Sequence, residues 1–81
     1  MRRVLVEEIE VLGEKTNYYL LDGTDGKIGS YGVEIVRGNE RKRVIGLAPS
    51  GDQVWRLIEL LARCAVTPMT LRDVAEDWLL G

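Results

Sequence analysis

The chain has 81 residues, of which 46% are hydrophobic and 30% charged, and its formal net charge is −2. This length predicts one domain over residues 1–81, and the composition is that of a folded globular chain rather than a disordered one. No basic excess favours sequence-independent binding to phosphates, which argues against nucleic acid as a partner. No apolar run is long enough to cross a membrane, and acidic residues interrupt the N-terminal stretch. We therefore expect a cytoplasmic protein that does not associate with membranes.

Four segments rich in Val, Leu, Ile or Tyr predict strands over residues 2–12, 17–22, 30–37 and 41–47. The third segment has the clearest alternation, with Tyr31, Val33 and Ile35 on one side and Glu34 on the other. The run Gly23-Thr24-Asp25-Gly26 predicts a tight connection between the second and third strands. Connections this short predict an antiparallel meander.

The first strand departs from a simple period of two. Val4 and Val6 share one parity, whereas Ile9 and Val11 share the other, and Glu7-Glu8 lies between the pairs. A bulge at Glu7-Glu8 would turn both pairs toward the same face, and a strand partly covered on both sides is the alternative. We favour the bulge.

Two helices are predicted after Pro49, over residues 51–65 and 68–80. Ser50 and Gln53 have the spacing of a capping box, and the second helix has two start signals, at Thr67-Pro68 and at Thr70. The apolar residues of the first helix recur at helical intervals: Val54, Leu57, Ile58, Leu61, Ala62 and Ala65. Cys64, near its end, is expected to be a buried thiol. The predicted fold is α+β, a four-stranded antiparallel meander followed by two helices on one face (ββββαα).

The residue types present exclude several kinds of catalytic site. The chain has no His and a single Cys, so it cannot assemble the usual zinc, copper or haem ligands, nor a Ser-His-Asp or Cys-His site. Glycine motifs for nucleotide binding are also absent. We therefore expect no metal, no cofactor and no enzymatic activity.

Two features of the helices are candidates for binding a partner. The polar side of the second helix carries Arg72, Asp73, Glu76 and Asp77. Its three carboxylates form a solvated face, an acidic surface for a partner, or a site for a cation or for acid–base chemistry. Trp55 lies on the flank of the first helix, where it either covers the edge of the core or anchors a partner or a second copy of the chain.

The third hairpin is basic. Arg37, Arg41, Lys42 and Arg43 surround its turn. Such a hairpin can lie along a phosphate backbone or an acidic protein face, and charged edge strands also prevent sheets from joining edge to edge.

Three stretches carry a family resemblance: Tyr31-Gly32-Val33-Glu34-Ile35, Ser50-Gly51-Asp52, and residues 66–79, most specifically Thr67 to Leu79. In these the chain resembles small uncharacterised proteins of clostridia and related Firmicutes, which are grouped only as a domain of unknown function. The resemblance implies a bacterial cytoplasmic protein with strands followed by helices. It implies no activity, ligand or site residue.

These observations favour a small non-enzymatic module that binds a protein, which is either a different protein or a second copy of the chain. The alternative is a nucleic-acid-associated regulator that uses the basic hairpin, although the acidic side of the last helix does not suit insertion into a DNA groove. An enzyme with a carboxylate site is the third interpretation.

Overall fold

The computed structural model describes residues 2–23 and 30–80. Four strands come first: β1 (Arg2–Val11), β2 (Glu14–Asp22), β3 (Tyr31–Arg37) and β4 (Glu40–Ala48). They are followed by α1 (Gly51–Arg63), one 3-10 turn (Pro68–Thr70) and α2 (Leu71–Leu80). The strands pair antiparallel in the order β1-β2-β3-β4, so the predicted ββββαα fold is confirmed. The predicted tight connection after Gly23 lies largely outside the described residues.

The two helices cover one face of the sheet. Helix α1 packs mainly across β1, β2 and β3, and α2 packs on β4. Between the layers lies an apolar core to which the sheet contributes Tyr18, Leu20, Val33, Ile35 and Leu47, and α1 contributes Val54, Leu57, Ile58 and Leu61. No described helix or strand packs on the opposite face, which we call the open face.

The first hairpin turns on two residues. Leu12 and Gly13 have φ values of 52° and 82°, as a type I′ turn requires, and Leu12 is exposed. Because the turn needs only these two residues, β2 begins at Glu14 rather than at residue 17, where the sequence predicted it to start.

A bulge in β1 turns apolar residues on either side of it toward the helices. The register with β2 shifts between Leu5 and Glu7, so the bulge includes Val6 and lies slightly before the predicted position at Glu7-Glu8. Val4 before the shift, Val6 within it and Ile9 after it all pack against the core, and Val11 is buried. A single irregularity therefore explains the change of parity in the sequence.

A second irregularity lies where β3 meets β4. Tyr31 pairs with Ala48 and Val33 pairs with Val44, so three residues of β4 stand opposite Gly32 alone. Gly46, within that segment, has a φ of 69°. The backbone of β4 consequently passes over Gly32 on the open face. It occupies the space that a side chain at position 32 would need.

Helix α1 has a capping interaction at each end. The backbone N–H of Gln53 donates to the Ser50 hydroxyl at 3.4 Å, as the capping box predicts. At the other end, Val66 N donates to Leu61 O at 2.9 Å and Ala65 N donates to Ala62 O at 3.1 Å, which is the Schellman pattern. The helix therefore ends at Arg63, before the predicted end at residue 65. Cys64 becomes the exposed C-cap residue, so the prediction that it is buried was wrong.

Ala65 occupies the position at which such helix ends favour glycine. Its φ is 53°, a left-handed conformation that costs an alanine about 1 kcal/mol. We expect Ala65→Gly to raise the free energy of unfolding by about 0.5–1 kcal/mol, measured by urea denaturation. The control is Ala62→Gly in the last turn of the helix, which should lower it by about 1 kcal/mol. A lower stability for Ala65→Gly would contradict this account of the helix end.

The two predicted start positions of the second helix mark two helical forms, but Thr67 makes no side-chain capping hydrogen bond. Pro68 follows Thr67 and opens the 3-10 turn, and the α-helix proper begins immediately after Thr70. The Thr70 hydroxyl donates to the Thr67 carbonyl at 3.4 Å, which closes that turn. The predicted helical range of 68–80 is thus divided into two helical forms.

Tyr18 connects the sheet to the segment between the helices through a hydrogen bond. Its hydroxyl donates to the carbonyl of Val66 at 2.8 Å, and the side chain is fully buried. Tyr18→Phe would leave that buried carbonyl without this donor, so we expect the free energy of unfolding at pH 7 to fall by about 1–2 kcal/mol. Tyr19→Phe is the matched control, because Tyr19 is only partly buried and should cost less. Equal losses in the two variants would contradict the assignment.

Tyr18 also makes a pH dependence testable. Burial raises the pKa of the Tyr18 phenol above its ordinary value. The folded state therefore holds this proton more tightly than the unfolded state, and the resulting stabilisation is fully present below about pH 10 and lost as the pH rises further. Unfolding titrations should show a shallower alkaline decline for Tyr18→Phe than for the parent protein. Parallel curves would contradict this origin of the decline.

Candidate functional site

The open face combines charged and apolar side chains in register across all four strands. One cross-strand row consists of Leu5, Tyr19, Glu34 and Arg43. The next row toward the hairpin turns consists of Glu8, Asn17, Val36 and Arg41. Paired residues of an antiparallel sheet point to the same side, so these side chains share one surface.

Glu34 is a fully buried carboxylate at the centre of this surface. Its Oε1 accepts from Arg3 at 3.1 Å, and its Oε2 accepts from Arg43 at 3.2 Å and pairs with Arg41 at 3.6 Å. We call these three arginines and Glu34 the arginine cluster. A buried charge needs such partners, since an unpaired carboxylate in this position would strongly destabilise the fold.

Arg3 reaches Glu34 by crossing the intervening strand. Its guanidinium carbon lies 4.1 Å from the centre of the Tyr19 ring, a cation–π contact, while Nη1 hydrogen bonds to Glu34. Asn17 donates to the Tyr19 hydroxyl at 3.2 Å, which orients the ring. The guanidinium of Arg3 is thus held at two points.

Apolar side chains border the arginine cluster. Leu5 lies opposite Tyr19 and is 49% exposed, and Ile45, on β4 beyond Arg43, is 59% exposed. Leu21, paired with Gly32, is buried on the same face. The open face therefore presents arginine, tyrosine and aliphatic groups together.

The predicted basic hairpin is divided between the two faces of the sheet. Arg41 and Arg43 belong to the arginine cluster, whereas Lys42 pairs with Ile35 on the helix side. Arg37 is only 17% exposed; it donates to the carbonyl of Val11 at 3.2 Å and pairs with Glu40 at 3.8 Å. The four cations therefore do not form one surface. Arg37 instead joins the end of β1, at Val11, to the start of β4, at Glu40.

The candidates on the helices lie apart from the open face. Trp55 is 39% exposed on the flank of α1. Glu59 and Ala62 of that flank line a surface depression with Glu7 and Ile9 of β1. Trp55 is therefore on the β1 side of the helical layer, away from α2, which packs on β4.

The polar side of α2 is solvated. Arg72, Asp73, Glu76 and Asp77 are all exposed, while Val74 and Trp78 pack partly against the core. Among the described residues, no group of three or more acidic or thiol side chains is placed to hold a metal ion. The structure does not bring these acids together with Trp55.

A surface cavity of about 500 Å³ lies between the β3–β4 hairpin and the 3-10 turn. It is an open groove lined by Asn39, Glu40, Arg41, Lys42, Pro68 and Met69. The groove shares Arg41 with the arginine cluster, but none of these six lining residues is a buried ionisable side chain such as Glu34. We therefore place the candidate site on the open face.

A family model described as a family of unknown function, DUF6514, matches residues 2–81. The chain belongs to the DUF6514 family. No curated protein and no solved structure matches it. In the described part of this DUF6514 chain, no helix combines the length and apolar character needed to cross a membrane.

Two members of the arginine cluster, Arg3 and Glu34, were missed by sequence reasoning in this DUF6514 protein. Glu34 alternates with Val33 and Ile35, which is typical of a solvent-facing residue, and Arg3 is remote from it in the chain. Aligning the predicted strands as a meander would have provided a signal. This alignment places Glu34, the one acidic residue of β3, beside Arg41 and Arg43 of β4.

Proposed function

We propose that this protein is a small non-enzymatic domain that binds another protein through the open face of its sheet. The observation that carries the proposal is the combination on that face of exposed Leu5 and Ile45 with Tyr19 and the arginine cluster. Arginine and tyrosine are enriched among the residues that dominate binding energy at protein interfaces, and exposed aliphatic groups supply buried area on association.

The arrangement suits binding better than catalysis. The arginines are hydrogen-bond donors without an acceptor, and Glu34, the carboxylate that they share in the described part of the chain, is fully buried beneath them. A general acid or base must reach a substrate proton, which Glu34 cannot do from this position. We therefore assign the open face a role in recognition.

The test compares two equivalent substitutions. Leu5→Gln removes an apolar side chain from the open face, and Leu60→Gln removes one from the outer side of α1; the two leucines are 49% and 46% exposed. The immobilised full chain is incubated with an extract of its source organism, and captured proteins are quantified. We expect one captured protein to be lost with Leu5→Gln and kept with Leu60→Gln. Capture that responds equally to both variants, or to neither, would overturn the proposal.

A second copy of the chain is one form that the partner can take. Light scattering over a range of concentrations, with the same two variants, distinguishes it. Self-association that is lost with Leu5→Gln alone would make the interaction homotypic. Self-association that is lost instead when Trp55 is replaced by Gln would place the interface on the flank of α1.

Nucleic-acid binding is the second candidate, favoured by the convergence of Arg3, Arg41 and Arg43 on one face. It would use these arginines rather than Arg37 and Lys42. Titration of the parent protein with generic DNA and RNA at low salt tests it, because phosphate contacts are strongest there. No binding under those conditions would end this alternative.

We further propose that the protein acts in the cytoplasm of a bacterium of the Firmicutes. The resemblance described above supports the source. The exposed thiol of Cys64 suits a reducing compartment, where such a group persists without forming a disulfide. Fractionation of source cells, with detection of the native protein, checks the location.

A further inference from the structure

The arginine cluster has more hydrogen-bond donors than its own carboxylate can accept. Each guanidinium carries five N–H groups, and Glu34 receives one close contact from each of the three arginines. The side chains of Arg3, Arg41 and Arg43 are 45%, 64% and 48% exposed. Most of their N–H donors therefore remain available on the open face. The cluster has three positive charges and one negative charge, so positive charge is in excess.

Glu34 holds these donors in place before any ligand arrives. A free arginine side chain loses considerable rotamer freedom when it binds an anion. Here the buried carboxylate contacts all three guanidinium groups, and the Tyr19 ring additionally supports Arg3. This preorganisation lowers the entropic cost of binding a second carboxylate. Glu34 is in this sense a positioning residue.

The extent of the positive charge fits a short acidic segment better than a nucleic acid backbone. A polynucleotide needs a track of cations along its length. The arginine cluster is instead bounded on the same face by Glu8 and Glu10 of β1, which pair with Asn17 and Lys15. The Tyr19 ring has a face covered by Arg3, so that face cannot stack on a base.

We propose that Arg3, Arg41 and Arg43 form a binding site for carboxylate side chains of an acidic segment in the partner protein. This inference rests on the proposed function, since it names the chemistry that the open face recognises. Arginine donates paired N–H groups that match a carboxylate, and such charge-assisted hydrogen bonds are the strong ones. Leu5 and Ile45 border the site, where apolar neighbours of the acidic residues would lie.

The chain offers a matched set of variants on one strand. Arg41→Gln and Arg43→Gln each remove one guanidinium from the open face, whereas Lys42→Gln removes an equal charge between them on the opposite face. Binding of a fluorescein-labelled glutamate-rich peptide is measured by anisotropy at low salt. We expect the dissociation constant to rise about tenfold in each arginine variant and to change less than about twofold in Lys42→Gln. Thermal unfolding of each variant confirms that it is folded.

Three results of the direct binding measurements would overturn the inference. They are the absence of peptide binding by the parent protein, an equal loss in Lys42→Gln, and tighter binding of an oligonucleotide of the same charge. Displacement of the peptide by free glutamate at lower concentrations than by inorganic phosphate would support carboxylate recognition, and the reverse order would overturn it. Failure of this inference can be distinguished from failure of the proposed function. If the open face binds a partner without carboxylate recognition, Leu5→Gln abolishes capture of that partner and Arg43→Gln retains it.

Discussion

Glu34→Ala is expected to lower the free energy of unfolding by about 3 kcal/mol, the largest single effect predicted for this protein. The substitution removes a fully buried carboxylate that contacts Arg3, Arg41 and Arg43. Three guanidinium groups are then left close together without a counter-charge, and a small cavity remains beneath them. Because the arginines are about half exposed, water relieves part of this cost, which places the loss at the lower end of the range for broken buried pairs.

Urea denaturation at pH 7 measures this loss, with Glu40→Ala as the control. Glu40 pairs with Arg37 at 3.8 Å, but its side chain is about half exposed. Removal of a surface partner of this kind costs about 0.5 kcal/mol or less. Similar losses for the two variants would show that Glu34 is not the centre of the arginine cluster.

Gly32→Ala is expected to cost about 2–3 kcal/mol, because the new methyl group would collide with backbone. The added Cβ would lie 2.8 Å from the Cα of Ile45 and closer still to the carbonyl oxygen of Val44. Neither atom can rotate away as a side chain can. The irregular segment of β4 would have to lift from the sheet, and the pairing on either side of Gly32 would weaken.

Gly13→Ala separates this crowding from the ordinary cost of replacing glycine. Gly13 has a φ of 82° and no atom within 4 Å of an added Cβ, so its replacement costs only the left-handed conformation, about 1 kcal/mol. Gly32 has the reverse character, with crowding and no positive φ. If Gly32→Ala proves milder than Gly13→Ala in the same denaturation assay, β4 does not pass over β3 as described.

Much of the fold could be predicted because its signals are local. The alternation of Tyr31, Val33 and Ile35 and the Ser50 cap each depend on neighbouring residues, and the structure contains both the strand and the cap. The end of α1 was harder to predict. Ala65 matches the apolar spacing of the helix but adopts a left-handed conformation, so the pattern extended past the true end and placed Cys64 in the core.

The candidate site was harder to predict because it depends on register. Arg41, Lys42 and Arg43 form one basic run in the sequence, yet consecutive strand residues point to opposite faces, so the run does not form one surface. Arg3 enters the site only through the pairing of β1 with β2 and of β2 with β3. Composition alone gives no information about that pairing. It also cannot distinguish a solvated glutamate from one buried under arginines.

The order of the strands in the sheet has a consequence for how the chain folds. Each strand pairs with the strand that follows it, so the hairpins can form from nearby segments with little loss of chain entropy. Two contacts close much larger loops: Arg3 with Glu34 across 31 residues, and Tyr18 with Val66 across 48. We infer that these two contacts form late, after the transition state. Stabilisation by the arginine cluster and the Tyr18 hydroxyl would then slow unfolding while leaving the folding rate nearly unchanged.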